Sequence, residues 1–445
     1  MMKTIKMLLA VLCTVCYVGY VSAQTTKWRE MHKVKKKETI FGIARKYGIT
    51  VTELIKANPE MNQPGYELKK DDYIYIPFPS DHKENPQPQT PSTHVAAKAV
   101  NVGIVLPLHN VDGDGRRMVE YYRGMLLACE DMKKDGISVN IHAWNLPIDG
   151  NVSDVLAQPA LAKCDLIFGP LYTKQVKALA DFSRNNGCKL IIPFSINGND
   201  VATNPSIYQV YQSPEYFYDR VAEEYASRFA NCNTVVIDCN DRTSDKGVFT
   251  FGLRRRLQEK GISCNVTNLN SSEEAFAKAF SASKPNVVVL NTGRSPELNQ
   301  AIAKLETLWT SRPSYAISLF GYTEWLMYVK YNKDKFFKFD TYIPTTAYYN
   351  QYSAKIKDLE GRYVKAFGSQ MMDYLPRFAI TGYDHAMQFL RTAYRKGRAM
   401  TTTETELSPL QTPLNFQRVA GGGYQNSSYM FVHYNHNHSI SLINF

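Results

Sequence analysis

Three patterns of apolar and polar positions divide this chain. Residues 7–20, MLLAVLCTVCYVGY, form an apolar run behind Lys3 and Lys6. Between Trp28 and Pro79 the apolar positions come in short groups that predict two short strands around two helices. Ile40, Ile43, Ala44 and Tyr47 recur at helical spacing, and Gly48 follows them as a C-cap. Thr50 opens a second helix carrying Leu54, Ile55 and Ala57, Asn58-Pro59 stops it, and Tyr73 to Ile76 make the closing strand. Ser80 to Lys98 then holds Pro86, Pro88 and Pro91 among Glu, Gln, Ser and Thr, a composition that builds no core and predicts a semi-extended linker.

From Val100 the pattern alternates strand and helix. Val100 to Leu106 reads as a buried strand, and Arg116 to Lys134 as a helix with Met118, Tyr122, Met125, Leu126 and Cys129 on one side. Ile137 to Trp144 is the next strand. Leu166 to Phe168 and Leu190 to Phe194 are short and unalternating, as strands covered on both faces of a parallel sheet are. After Tyr208 to Tyr211 a second set begins: Val235 to Ile237, a helix around Phe251 to Leu257, Ile262 to Val266, Val287 to Leu290 and Ala316 to Leu319. Repeated βαβ units argue for parallel sheets with right-handed crossovers, and two sets of them argue for two lobes. Ligands in such sheets bind at the carboxyl ends of strands, which singles out Gly169 to Lys174 and Ser195 to Asn199.

Composition sharpens the compartment. The apolar run, its basic start and Val21-Ser22-Ala23 before Gln24 read as a secretory signal over residues 1–23 that is cleaved, placing the mature chain in the periplasm or cell envelope. Neither Cys13 nor Cys16 follows the small residue that lipidation needs. The formal charge of +11 is spread along the chain, so it speaks for solubility or adhesion to anionic wall polymers, and export excludes nucleic acid as a partner. Six cysteines remain after the signal. Cys164 with Cys188, and Cys232 with Cys264, sit near strand starts and are the candidate disulfide pairs in an oxidising compartment.

The segment HKVKKKETIFGIARKYGITVTELIKANP followed by LKKDDYIYIP resembles the lysin motif (LysM), at residues 28–79. The resemblance implies binding of peptidoglycan or another N-acetylglucosamine glycan in a groove formed by Glu38, Thr39, Ile40 and Phe41 on one side and by Asn58, Pro59 and the residues to Gln63 on the other. Lys37-Glu38 stands where the motif has Gly-Asp, and Asp71 where it has Gly before the last strand.

The chain from 99 to 445 resembles the type I periplasmic-binding-protein fold of the branched-chain amino acid receptor-like family, the substrate-binding component of ABC transporters. VNVGIVLPL, YYRGMLLACEDM, the IFGP turn, IIPFS, VYQSPEY and ITGYDHAMQFLRTA carry the likeness by their order. The fold class expected is therefore α/β, a small βααβ LysM module followed by a two-lobed domain with parallel sheets. Three crossings between lobes would give one lobe from 100–212 with 346–400 and another from 213–345 with 401–445. The resemblance implies that Tyr172, Thr173, Ser195 and Asn197 hold a ligand carboxylate, with Asp241, Asp245, Tyr322 and Glu324 as second-lobe candidates. A helix start with free N–H groups favours such an anion. Lys174, Phe194 and Ile196 depart from the family's small and hydroxylated residues.

No cofactor and no enzymatic activity are expected. Asp238-Cys239 lacks the Ser-Gly and His-Gly patterns of wall-cleaving cysteine peptidases. His433, His436 and His438 fall in an apparent hairpin, Asp112-Gly113-Asp114-Gly115 reads as a turn before a helix rather than a calcium loop, and Tyr348, Tyr349 and Tyr352 read as lobe packing. Two functions compete. One is an exported wall-associated protein whose lobes close on a small ligand such as an amino acid or muropeptide. The other is a non-enzymatic regulator or scaffold of peptidoglycan synthesis or an envelope complex, with a vestigial cleft and an envelope protein partner.

Overall fold

The computed structural model describes residues 30–36, 38–62, 66, 68–77, 99–194, 198–401 and 408–445. The signal segment, the linker, Lys37 and the three residues Ser195, Ile196 and Asn197 lie outside them. The chain divides into two compact units, Met1–His94 and Val95–Phe445. No described helix is long and apolar enough to cross a membrane.

In the first unit β1 (Glu30–Lys33) pairs antiparallel with β2 (Tyr73–Ile76), and α1 (Ile40–Tyr47) and α2 (Val51–Ala57) lie between them in sequence. Local signals set each end. The Thr39 hydroxyl accepts the Gly42 N–H at 3.0 Å, Gly48 closes α1 at φ 69°, and Thr50 and Glu53 form a reciprocal capping box on α2. Val34, Ile43, Ala44, Leu54, Ile74 and Ile76 make the core. Asp71, the residue in place of glycine, adopts φ 73°. Its ion pairs with Lys33 at 3.0 Å and Lys70 at 3.5 Å join side chains that are all more than half exposed, so they offset little of that strain. Asp71→Gly is therefore expected to stabilise this module by about 0.5–1 kcal/mol, read as a rise in its thermal unfolding midpoint; a fall would show that the ion pairs outweigh the backbone.

The second unit holds two seven-stranded sheets. The chain runs through β3 (Val100–Leu106), β4 (Val139–Asn145), β5 (Leu166–Phe168), β6 (Lys189–Ile192) and β7 (Ile207–Gln209), then through β8 (Asn233–Asp238), β9 (Cys264–Asn268), β10 (Asn286–Leu290), β11 (Ile317–Phe320) and β12 (Thr341–Thr345). Four more strands follow: β13 (Phe416–Arg418), β14 (Tyr424–Asn426), β15 (Met430–Tyr434) and β16 (Ile440–Asn444). The first sheet has the order β13-β14-β7-β6-β5-β3-β4 and the second β16-β15-β12-β11-β10-β8-β9. Within each sheet the alternating strands pair in parallel, and antiparallel pairing is confined to β13 on β14, β15 on β12 and β16 on β15. The longer helices are α3 (Gly113–Lys134), α4 (Thr173–Asn186), α5 (Pro214–Arg228), α6 (Lys246–Glu259), α7 (Ser295–Ser311), α8 (Val329–Lys338), α9 (Ala354–Phe367) and α10 (Phe378–Lys396).

Two expectations are corrected here. Residues 401–445 do not all join the second lobe, because β14 pairs in parallel with β7 through Tyr424 and Tyr208 and brings β13 with it into the first sheet. Tyr208 stacks on Tyr424 at 4.8 Å and meets Phe416 edge-on at 5.3 Å, so an aromatic contact seals that pairing. All six described cysteines are free thiols, and neither candidate pair is bridged. Cys164 and Cys188 are buried with their sulfurs directed at the Ala160 and Ser183 carbonyls, 3.4 and 3.9 Å away. Strand β9 also begins two residues later than expected: Gly261 turns the chain at φ 68° and the Ile262 N–H is spent on the Leu257 carbonyl, closing α6 before pairing starts.

Candidate functional site

The first candidate surface is the groove expected on the small module. Glu38 is spent inside it: its Oε2 accepts the Lys35 N–H at 2.7 Å and meets His32 Nε2 at 2.7 Å, while His32 Nδ1 meets the Tyr47 hydroxyl at 2.8 Å. The Lys35 N–H, then His32, hold that carboxyl below its ordinary range. Thr39 is occupied as the α1 cap, and Ile40 packs half-buried on the core. Asn58 is wholly buried, donating to the Leu54 and Tyr75 carbonyls at 2.8 Å each and accepting the Tyr75 N–H at 2.7 Å. It fastens the end of α2 to β2. Phe41, 57% exposed, and the exposed Pro59 are the expected groove residues that present apolar surface to solvent.

The second candidate is the gap between the two sheets. The chain leaves the carboxyl end of β7 to start α5 in the second lobe, and leaves the carboxyl end of β12 to start α9 beside the first. The carboxyl ends of both sets of strands therefore face the connections. These are tied together: the Gln212 amide donates to the Ser428 carbonyl at 2.6 Å, the Gln425 amide to the Tyr211 carbonyl at 2.9 Å, and the Arg220 guanidinium to the Ser427 carbonyl while lying 4.8 Å over Tyr429.

On the first lobe, Gly169 takes φ 127° and a Cβ there would stand 2.0 Å from the Val105 carbonyl oxygen, so the turn into α4 is open only to glycine. Tyr172 caps α4 but its hydroxyl donates to Asp114 Oδ2 at 3.2 Å, and burial together with Asp114 pushes that phenol up to about 12. Asp114 is itself paired with Arg117, whose guanidinium lies 5.9 Å from the rings of Tyr374 and Phe378. Thr173 is exposed at the start of α4, and Lys174 is exposed beside it rather than filling the cleft. Phe194 turns into the lobe against Tyr121 at 5.2 Å and Phe378 at 5.6 Å. Ser195 and Asn197 lie outside the described residues. Asp112, at the expected turn, caps α3 by accepting the Gly115 N–H at 2.7 Å.

On the second lobe the candidates are engaged as well. Tyr322 is buried with its hydroxyl donating to the Leu290 carbonyl. Asp241 accepts from the Thr243 N–H and hydroxyl and from the Thr292 hydroxyl, which hold it at about 2. Glu324 Oε1 receives the Lys246 ammonium at 2.8 Å, while Asp245 stands largely exposed beside it. Lys246 and its neighbour Tyr218 carried no signal in the sequence, because a lysine opening a helix is ordinarily a solvated one.

Outside the cleft the residues weighed for catalysis take other parts. The Cys239 thiol is buried and pushed up to about 12, first by burial and then by Asp238, an environment that holds it protonated rather than nucleophilic. His433 stacks on Tyr342 at 3.7 Å with Nε2 2.9 Å from Asp340, and His436 and His438 lie in the turn between β15 and β16. No group of three metal-ligating side chains assembles among the described residues. The Tyr349 hydroxyl donates to Glu360 at 2.7 Å, Tyr348 packs on the second-lobe core, and Tyr352 is exposed.

Comparison with known proteins places these features. Residues 32–77 match the LysM domain family. No curated protein matches the chain in sequence. Among solved structures, one described as a branched-chain amino acid ABC transporter from Rhodospirillum rubrum is 13% identical, with a TM-score of 0.54 over 78% of this chain and 100% of that one. A monoclinic form of LpoA from Haemophilus influenzae is 15% identical, with a TM-score of 0.50 over 78% of this chain and 59% of that one. At such identities the likeness is one of fold. Residues 32–77 are thus a LysM domain, and the larger unit takes the two-lobed type I periplasmic-binding-protein fold.

Proposed function

We propose that this is an exported, non-enzymatic protein of the periplasm or cell envelope that binds peptidoglycan through its LysM domain and presents the two-lobed domain to an envelope protein partner. Export rests on the signal-like segment 1–23, and the glycan on the LysM match. The observation that favours a partner over a free amino acid is the state of the cleft edges. Tyr172, Asp241, Tyr322 and Glu324 each engage a group of their own lobe. A zwitterion would have to displace these contacts, and its binding would be weakened by each one broken.

The glycan half is tested by sedimenting the full chain with purified peptidoglycan. Phe41→Ala removes an exposed ring without touching the core, so binding is expected to weaken by about tenfold, the ~1.4 kcal/mol of one apolar contact on a sugar face. Its unfolding midpoint is expected to stay within the small range of a surface change. Wild-type binding that Phe41→Ala leaves intact would remove Phe41 from the groove. The partner half is tested by affinity purification of the full chain from envelope extract after mild crosslinking. Clean recovery of the chain alone, together with stabilisation by a free amino acid, would overturn it in favour of the small-ligand reading.

A further inference from the structure

Lys246 opens α6 at the carboxyl edge of the second sheet, yet it is only 9% exposed. Its ammonium lies 2.8 Å from Glu324 Oε1 and 3.1 Å from the Tyr218 hydroxyl, and 5.0 and 5.4 Å from the ring centroids of Tyr218 and Tyr322. The second carboxylate oxygen of Glu324 is buried without a hydrogen-bond partner. Gly293 leaves room on that side, where a Cβ would stand 3.5 Å from the carboxyl carbon. Two aromatic faces, a phenol and a carboxylate converging on one point make a receptor for a primary ammonium. The parts come from the loops after β8, β10 and β11 and from α5, so the cage is assembled where open parallel sheets take ligands.

We propose that Lys246 is a tethered occupant of an ammonium cage built from Tyr218, Tyr322 and Glu324, and that it closes the second lobe's cleft edge to free primary amines, amino acids among them. The inference deepens the reading of the cleft given above and rests on it for its biological sense. The side chain is held covalently next to its own site, at an effective concentration of about millimolar or more, so a free amine making the same contacts competes only above that level. Burial by itself would lower the Lys246 ammonium, but Glu324 and Tyr218 outweigh it and keep the group charged. The cage therefore stays filled across the working pH range. Its ligand class is a short alkylammonium, since Lys246→Ala removes three methylenes and the ammonium, the outline of n-propylammonium.

The test uses the full chain. Calorimetric titration of Lys246→Ala with n-propylammonium is expected to show binding at least about tenfold tighter than wild type, with a midpoint rise of about 2 °C at saturation. The double change Lys246→Ala with Glu324→Gln is expected to lose that response. A folded Lys246→Ala that ignores n-propylammonium, or a wild type that binds it equally well, overturns the proposal. Should Lys246→Ala not fold, reductive methylation of the native chain decides instead: Lys246 is expected to react at least about tenfold more slowly than the exposed Lys174, and equal rates overturn the cage. Peptidoglycan sedimentation scores the wall-binding reading separately, so a failed cage leaves that reading standing.

Discussion

Replacing Gly124 with alanine is expected to destabilise the two-lobed domain by about 3 kcal/mol or more, although glycine-to-alanine inside a helix is ordinarily favourable by about 1 kcal/mol. Gly124 in α3 is where that helix crosses α10. An added Cβ would stand 1.8 Å from the Ala379 carbonyl oxygen, and the reciprocal position, Gly382, would put one 2.0 Å from the Tyr121 carbonyl oxygen. Both obstacles are backbone, so no rotamer relieves them and the helices must separate. That separation would strip the buried Met125, Ala386 and Phe389 of contacts. Gly361 in α9 is the control, since a Cβ there meets nothing within 4 Å and alanine should stabilise by about 0.5–1 kcal/mol. Thermal unfolding of the two variants should therefore move in opposite directions. A Gly124→Ala midpoint at or above wild type would show that the crossing is looser than described.

Asn58→Ala is expected to unfold the LysM domain and abolish peptidoglycan binding while leaving the larger unit's transition in place. The Asn58 amide makes three hydrogen bonds that join α2 to β2. Alanine leaves the Tyr75 N–H and carbonyl without that partner, while the Leu54 carbonyl keeps the backbone N–H of residue 58 at 3.1 Å. At about 1–3 kcal/mol for each buried group left unpaired, the loss exceeds what a module this small holds in reserve. Loss of binding with new protease sensitivity between residues 32 and 77 is the expected outcome. Phe41→Ala, by contrast, should weaken binding without that sensitivity. An Asn58→Ala chain that is protease-resistant and still sediments with peptidoglycan would mean that β2 is held by its strand pairing alone.

These two cases also show where the sequence was legible. The small module could be read because its determinants are local: Thr39, Gly48, and Thr50 with Glu53 act within a turn of where they stand. Most of the parallel strands announced themselves as short apolar runs, and each of those runs overlaps a strand, whereas β12 and β14, which also pair in parallel, were not read. What could not be read is set by partners far along the chain. The Tyr172 hydroxyl is spent on Asp114, Glu324 on Lys246, and β14 on β7 through Tyr208, and none of these pairings leaves a spacing that a local pattern would show. The apolar run from Leu190 was legible as a strand and forms part of β6, but the direction of Phe194, inward against Tyr121, depends on α3 and could not be inferred.

The strand order has a consequence for the order of folding. The first sheet includes β13 and β14, which follow every parallel strand of the second, while the second sheet includes β15 and β16, which follow those. As the chain emerges in sequence, the first sheet stays incomplete until residue 426 is made, and the second until residue 444. Neither lobe can finish early and wait for the other. The LysM domain, whose strands pair across residues 30–76, has all its strands ahead of the first strand of either sheet. A nascent chain of this protein thus carries every strand of its LysM domain ahead of two lobes that complete almost together.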